Sequence, residues 1–495
     1  MTNSFYERLI CTMLFIYAFA TIVIRFVFAT SYLPEMGGGM SINMLYGIEH
    51  LRQTGHLYMN PEQAPFSIIQ YTPLYYYFIN FIIKIIPFEL NLHQVIVLHR
   101  LICLSTNIFY SILIALTCKN LFPKITNKII IAIALIILIT TPNLNFERID
   151  NLYLLFSVLA IRHFLKYLKN NDTNAIKNSN QIIFTGIACG LALLTKQTAI
   201  WLIGLISIWL LFFEHNFKLW LKYALTVTLV FIPLILFFTT GNILDLKLNI
   251  IDGLKNGIGI DWFIQVFIKG YFTKYSLLIV LGLYIGGWKL FEKSPSIKSF
   301  LGFSILYFFF AALLFSLKYG ATQNYFIEFT IMVVIGICYL LNQEPPKYNS
   351  YLSLTALYIP FLLMTCATDK YWQNITLLKP AENDFKVCEE VSSYVNKNTL
   401  KGNYIYSNFH TENSLNLMLS KIAIFPCREV AFVQTYPHGV FKFNQFGDLL
   451  SQGKIQYIID RTNHFPDKIL YATPINYNVE KSIGDYTIYR YQPNK

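Results

Sequence analysis

The ionisable residues of this chain that could do chemistry are few, and they recur at the ends of long apolar runs. Glu35 sits in a glycine bed, Pro34-Glu35-Met36-Gly37-Gly38-Gly39, just after the first such run. Further along come Gln70-Tyr71, His99-Arg100, Glu147-Arg148-Ile149-Asp150, Lys196-Gln197, Lys318, Asn324 and Glu328. A carboxylate can serve as a general base that takes the proton of an incoming hydroxyl or amine. Cations can hold a phosphate that is both anchor and leaving group. Arg100, Lys196 and Lys318 are of that type, arginine offering a forked contact and lysine a point charge. The set suits transfer of a group from a phosphate-linked lipid.

Each residue taken singly has a plainer role. Glu35 fits a solvated acid at the membrane interface, and Lys196 a snorkelling lysine at a span end. Arg100 fits a lipid-phosphate anchor, and Asp150 a helix cap that pairs with Arg148. Tyr75-Tyr76-Tyr77 fits an aromatic belt. What favours chemistry is that all of them fall on one side of a membrane, while the middles of the spans are almost free of charge. A charge-coupled transporter would place ionisable groups near the midplane instead.

That placement follows from composition and hydropathy. The 495 residues are 55% hydrophobic and 13% charged, against about 25% charged in a soluble domain, so the chain is a polytopic membrane protein. Its net charge of +12 sits in short lysine clusters between apolar runs, as cytoplasmic loops and head-group contacts require, and not as a nucleic-acid surface. The N-terminus looks like a signal peptide, with Arg8, an apolar stretch and Ala18-Phe19-Ala20. The run continues to Phe28, about 20 residues in all and enough to span, so an uncleaved anchor is expected.

Apolar runs near 9–30, 101–118, 129–142, 151–165, 182–195, 199–213, 219–239, 276–288, 299–317, 325–341 and 350–366 predict about eleven spans. Residues 72–87 are a further apolar run. If they stay on the outer surface and the N-terminus is cytoplasmic, every lysine-rich short loop falls inside; if they cross, all of them flip outside. The positive-inside rule selects the first arrangement. Residues 31–100, 143–150, 196–198, 240–275, 318–324 and everything beyond about 367 are then external. Residues 240–275 alternate apolar and charged positions, as an interfacial segment would.

Residues 367–495 alternate helix-like stretches (Asp384 to Asn396, Glu412 to Ser420, Asn444 to Gln452) with strand-like runs (403–406, 455–459, 486–489), which predicts a small α/β domain. The expected organisation is a helical transmembrane domain over 1–366 with juxtamembrane helices in its first external loop, followed by an extracytoplasmic α/β domain over 367–495. The eight cysteines show no C-x-x-C pair. Six lie in or beside apolar runs as packing residues. Cys388 and Cys427 lie in the polar part and are a disulfide candidate if it faces an oxidising compartment. No tight His/Cys/Asp set suggests a metal site, and no Gly-rich phosphate loop is present, so no cofactor is expected, with metal dependence left open.

Glu35, Gly55-His56-Leu57-Tyr58, Tyr71-Thr72-Pro73-Leu74-Tyr75-Tyr76-Tyr77 and Arg100 form an ordered series. It continues with Arg148-Ile149-Asp150, Leu194-Thr195-Lys196-Gln197-Thr198, Lys318-Tyr319-Gly320-Ala321 and Asn324-Tyr325. In this series the chain resembles the GT-C-type polytopic glycosyltransferases that use polyprenyl-phosphate sugars, relatives of the protein O-mannosyltransferases and aminoarabinose transferases. The resemblance covers residues 1–366. It implies an inverting transfer of a monosaccharide from a polyprenyl-phosphate donor to a glycan, lipid or protein acceptor on the external face of the cytoplasmic membrane. Glu35 would be the base and Asp150 a second acid in the cavity, with Arg100 and Lys196 holding the lipid phosphate. Gln70, Tyr71, Arg148, Gln197, Asn324 and Glu328 would line the substrate pocket. Many relatives have Asp where this chain has Glu35, and Lys or His before the proline where it has Gln70-Tyr71-Thr72; Lys318 is then the candidate for the missing phosphate contact. The alternatives from other classes are a lipid-linked glycan transporter or polymerase, and a non-catalytic scaffold that displays the C-terminal domain.

Overall fold

The computed structural model describes residues 2–32, 40–140, 148–172, 180–292, 294–343, 376, 378–408, 413–428, 430–461 and 465–493. Glu35, Glu147 and the expected span at 350–366 lie outside the described residues.

Long apolar helices dominate. They are α1 (Thr2–Ala29), α4 (Leu92–Leu121), α5 (Asn127–Thr140), α6 (Asp150–Asp172), α7 (Asn180–Thr195), α8 (Ile200–Ile208, running on as a π-helix over Trp209–Phe213), α9 (Phe217–Phe238), α12 (Thr273–Tyr284), α13 (Ile297–Ser316) and α14 (Ile327–Gln343). Every expected span that can be compared falls on one of them. Leu92–Leu121, Phe217–Phe238, Ile297–Ser316 and Gln323–Gln343 are long and apolar enough to cross a membrane as they stand. Leucine, isoleucine and phenylalanine face outward where lipid would lie, as Phe109, Leu229, Phe237 and Leu314 do. The interior is one apolar cluster running from Tyr110 and Ile133 through Trp209 to Phe300 and Met332.

Between α1 and α4 lie α2 (Met40–Thr54) and α3 (Leu74–Ile85). Helix α3 covers the disputed run at 72–87. Its 12 residues make it about 18 Å long, short of the ~30 Å hydrocarbon core. It is two-faced: Tyr75, Tyr76, Ile79 and Ile83 are buried while Phe81 and Ile85 are exposed. Capping defines the next helix. Asn91 accepts from Gln94 N while the Gln94 side chain returns to Asn91 N, a reciprocal cap that starts α4. Residues 240–275 form α10 (Ile243–Ile250) and α11 (Ile260–Phe263), the latter continuing as a π-helix to Phe272. The chain bends by 83° between Phe272 and Tyr275, so the first arm runs almost at right angles to the second.

The C-terminal part contains α15 (Leu378–Asn398), α16 (Asn413–Met418) and α17 (Phe446–Ser451). Its sheet has strands β1 (Tyr404–Ser407), β2 (Ile455–Asp460), β3 (Tyr477–Ile483) and β4 (Tyr486–Tyr491) in the order β1-β2-β4-β3. β1 and β2 are parallel and the other pairs antiparallel. The expected helices and three of the strands are present. β3 was not expected; it is an edge strand whose Asn478, Val479, Lys481 and Ser482 are exposed, so no apolar alternation announces it, and charge protects the edge.

This part does not stand apart from the first loop. Phe66 N donates to Ile424 O at 2.8 Å, and the Phe66 ring packs on Phe425 and Phe443 at 5.2 and 5.3 Å. Glu62 accepts from the backbone of Lys442 and Phe443 at 2.9 and 2.8 Å. One apolar cluster joins Leu51, Phe66, Ile69 and Tyr76 to Phe425, Phe446, Ile455 and Ile458.

The disulfide expectation is corrected. Cys388 and Cys427 are both free thiols. Cys388 packs with Val391, Ile405 and Tyr457, whereas Cys427 packs in the other cluster with Phe66 and Phe425. Burial pushes the Cys427 thiol up to about 12, which leaves it without the thiolate that alkylation needs. We expect both cysteines to react slowly in the native protein and fully after unfolding without reductant. Mass spectrometry of the alkylated peptides checks this, and an unreactive pair in the unreduced, unfolded chain would contradict it.

Candidate active site

The site begins where two neighbouring helices end. Asp150 is the first residue of α6 and Lys196 follows the last residue of α7. Lys196 adopts an extended conformation (φ −148°, ψ 128°), and a 3-10 turn, Gln197–Ala199, succeeds it. An acid at a helix N-terminus and a cation at a helix C-terminus both complement the helix dipoles. Because α6 and α7 pack side by side in opposite directions, these ends meet. Lys196 Nζ lies 2.5 Å from Asp150 Oδ1, with both side chains buried.

The pair is enclosed by groups that compensate its burial. Asn324 Nδ2 donates to the same Asp150 oxygen at 2.9 Å. Thr322 Oγ1 donates to Asn324 Oδ1 at 2.6 Å and so orients that amide. The rings of Tyr325 and Tyr153 stand 5.4 and 5.8 Å from the Lys196 ammonium, within cation–π range. Glu328 is buried and hydrogen-bonded to the Tyr153 phenol. Burial, the largest single influence, would lower the Lys196 ammonium, but Asp150, Tyr325 and Tyr71 together outweigh it and hold Lys196 above an ordinary lysine.

The first loop forms the adjoining wall. Gln197 Nε2 donates to Gln70 O at 2.7 Å, and Tyr58 OH donates to Tyr71 O at 2.7 Å. The Tyr71 phenol is raised chiefly by burial, and Lys196, Asp150, Tyr325 and Arg148 all act on it. Arg148 also acts on Asp150.

Lys318 comes from the loop after α13. Gly259 N donates to Leu317 O at 2.9 Å and Tyr319 N to Gly257 O at 3.1 Å, which fixes that loop to residues 257–259. Burial, and then the charge of Lys196, lower the Lys318 ammonium to about 8. Among the described residues it has no hydrogen-bond or ion-pair partner.

Beside the ion pair opens a narrow pocket, with a cavity volume of about 20 Å³. Asp150, Lys196, Asn324 and Glu328 contribute to its polar wall, and Leu154, Trp201, Phe308, Ala311, Ala312 and Phe315 are among its other lining residues. Trp201 Nε1 is buried there without a hydrogen-bond partner among the described residues, a donor available to a ligand. Among the described residues, no group of His, Cys, Asp or Glu is arranged to hold a metal ion.

Sequence reasoning and structure differ at Arg100. Its guanidinium is buried and donates to Ser31 O at 2.9 Å and Phe28 O at 3.4 Å, carbonyls at and just beyond the end of α1. Arg148 is the arginine that surrounds Asp150. Asp150, Lys196, Asn324, Gln70, Gln197, Tyr71 and Arg148 do come together, with Glu328 lining the same pocket and Lys318 close enough to feel Lys196. The reading from sequence missed Tyr153 and Trp201, which sit inside apolar runs and carry no charge to mark them.

Comparisons with known proteins agree with this fold. Residues 70–240 match the family described as dolichyl-phosphate-mannose-protein mannosyltransferase. A comparison with curated proteins found no match. The structure is similar to ArnT from Cupriavidus metallidurans in its apo state, with TM-score 0.59, 12% identity, and coverage of 97% of this chain and 98% of that one. It is also similar to the same protein bound to undecaprenyl phosphate, with TM-score 0.56, 10% identity, and coverage of 96% and 97%. A third similar structure is the oligosaccharyltransferase of Archaeoglobus fulgidus tethered to an acceptor peptide, with TM-score 0.55, 10% identity, and coverage of 90% and 69%.

Removing one partner of a buried ion pair strands the other charge and costs about 3–5 kcal/mol. Lys196→Met should therefore lower stability by roughly that amount, and adding Asp150→Asn should recover much of it. Thermal unfolding of Lys196→Met, Asp150→Asn and the double variant in detergent measures the coupling. Simple additivity of the two single changes would show that the pair does not act as one unit.

Proposed function

We propose that this GT-C-type membrane glycosyltransferase takes a monosaccharide from a polyprenyl-phosphate donor and passes it, with inversion, to an acceptor at the external face. The observation that carries this reading is a second lysine close to the first, beside a largely apolar pocket. Lys196 is paired to Asp150, while Lys318 feels Lys196 and has no anion partner among the described residues. A lipid phosphate supplies the missing negative charge, and charge-assisted contacts to it are among the strongest hydrogen bonds a protein makes. The α13 face of the pocket, Phe308, Ala311, Ala312 and Phe315, suits an isoprenoid chain.

In the transfer, the acceptor hydroxyl or amine attacks the anomeric carbon from the side opposite the phosphate. The new bond forms as the carbon–oxygen bond to phosphate breaks, and the electron pair leaves with the polyprenyl phosphate. Lys196, Lys318 and Arg148 stabilise that charge as it develops. Glu35 takes the acceptor proton. Its segment joins Tyr32, at the end of α1, to Met40, at the start of α2. Arg100 secures the near end of that segment through Ser31 O, which makes it a support for the base and not a second phosphate contact. The C-terminal part, packed on the first loop, would lie on the same external side.

The direct test supplies polyprenyl-phosphate monosaccharides to the purified full chain and measures release of the lipid phosphate. Glu35→Gln should reduce turnover by about 10²–10⁴-fold, the usual contribution of a general base, while leaving donor binding intact. A Glu35→Gln protein with wild-type turnover would remove Glu35 from the reaction. Because the Lys318 ammonium is charged below about 8 and neutral above it, donor affinity should fall as pH rises through that value. Lys318→Ala should weaken donor binding and remove this alkaline fall; an unchanged pH profile in that variant would exclude Lys318 as the group responsible.

A further inference from the structure

We propose that Gln434, carried by the C-terminal part, is a positioning residue that sets both lysine-bearing loops of the active site at once. This rests on the reading of Lys196 and Lys318 as phosphate contacts. Gln434 Oε1 accepts from Gln70 Nε2 at 3.0 Å and from Asn256 Nδ2 at 3.2 Å. All three side chains are buried. Gln70 leads to Lys196, because its carbonyl receives the side chain of Gln197 at 2.7 Å. Asn256 leads to Lys318, because Asn256 Nδ2 also reaches Tyr319 O at 3.4 Å and the segments 257–259 and 317–319 are hydrogen-bonded. A single side-chain oxygen from a distant part of the chain thus sits two contacts from each lysine.

A second contact from the same segment supports this independently. Gln434 lies in a π-helical turn, Val430–Thr435, followed by a 3-10 turn that ends at His438; π-turns are rare and recur at functional sites. The His438 ring packs on Tyr319 at 4.9 Å. A Cβ at Gly257, where φ is +72°, would stand 3.4 Å from His438 Nδ1. Gly320, at φ +80°, opens toward the Gln434 amide in the same way. Residues 430–438 therefore press on both sides of the Lys318 loop.

The chemistry of the clamp suits its place. Amides hold the loop without charge, whereas a carboxylate here would pair with Lys318 and compete with the phosphate. Among the described residues, Lys196 from the end of α7 is the charge that acts on Lys318; Lys255 and Asp261 flank the segment 257–259 bridged to it, and His438 packs on the neighbouring Tyr319. Holding the loop closed keeps water from the ammonium, whose value is about 8. If the clamp loosens, water reaches Lys318 and its titration moves up toward that of an ordinary lysine.

The test is binding of undecaprenyl phosphate to the purified full chain in detergent, as a function of pH. Wild type is compared with Gln434→Met, which keeps the bulk and loses the acceptor, with His438→Ala at an exposed position, and with Lys318→Met. Gln434→Met should weaken binding about tenfold, the worth of a buried hydrogen-bond pair, and should shift the alkaline fall upward. His438→Ala should shift it in the same direction by less, and it keeps the test open should Gln434→Met fold poorly. Unchanged affinity and an unchanged alkaline fall in both variants would overturn the clamp, as would weaker binding with no shift of the fall. If Lys318→Met loses affinity while Gln434→Met and His438→Ala do not, the clamp alone is wrong. If Lys318→Met binds as wild type does, the phosphate reading fails and takes the clamp with it.

Discussion

A carboxylate and an ammonium buried against each other at the junction of α6 and α7 set the terms for everything around them. Neither charge could leave water alone, because desolvating a single ion costs several kcal/mol. Once paired, they still need their remaining hydrogen-bonding capacity met. The 3-10 turn that carries Asn324, the threonine that orients it, and the two tyrosine rings around the ammonium all serve that need. A hydrophobic pair of the same volume would fold as well or better. Retention of an ion pair at the head of an apolar pocket therefore points to use and not to stability.

The same constraint bears on the second lysine. Asp150 is engaged by Lys196 and Asn324, and Glu328 by Tyr153. Among the described residues, Lys318 has no anion partner. An electrostatic site of this kind is preorganised: its groups are held before the ligand arrives, so little has to rearrange as charge develops on a leaving phosphate.

The outer wall of the site is made by the two ends of the chain. Residues of the first loop and of the C-terminal sheet share an apolar cluster, and backbone hydrogen bonds cross between them. The change of composition near residue 367 marks where polar sequence begins, but packing does not divide there. The C-terminal part has one core of its own around Cys388, Val391 and Tyr457, and a second that it shares with Phe66, Ile68 and Ile69, immediately before the Gln70-Tyr71 motif, so it is structurally continuous with the wall of the candidate site.

Much of the helical layer was legible because hydropathy is a local property: apolar runs of sufficient length become helices wherever they are placed. Motif residues at the ends of those runs were legible too, since polar side chains interrupting apolar sequence stand out. Strand β3 was not, because an exposed edge strand has no alternation to read. Arg100 and Arg148 looked equally suited to an anion, and only the packing of α4 against α1 turned one of them toward helix carbonyls. Cys388 and Cys427 looked like a pair because both lie in polar sequence, yet they belong to different cores. By itself, then, the chain determined which segments are helices and that its ionisable side chains sit at their ends. Which ends meet was decided by tertiary structure alone, since the decisive contacts join residues 46, 174 and 364 positions apart, and no local preference specifies a partner across such separations.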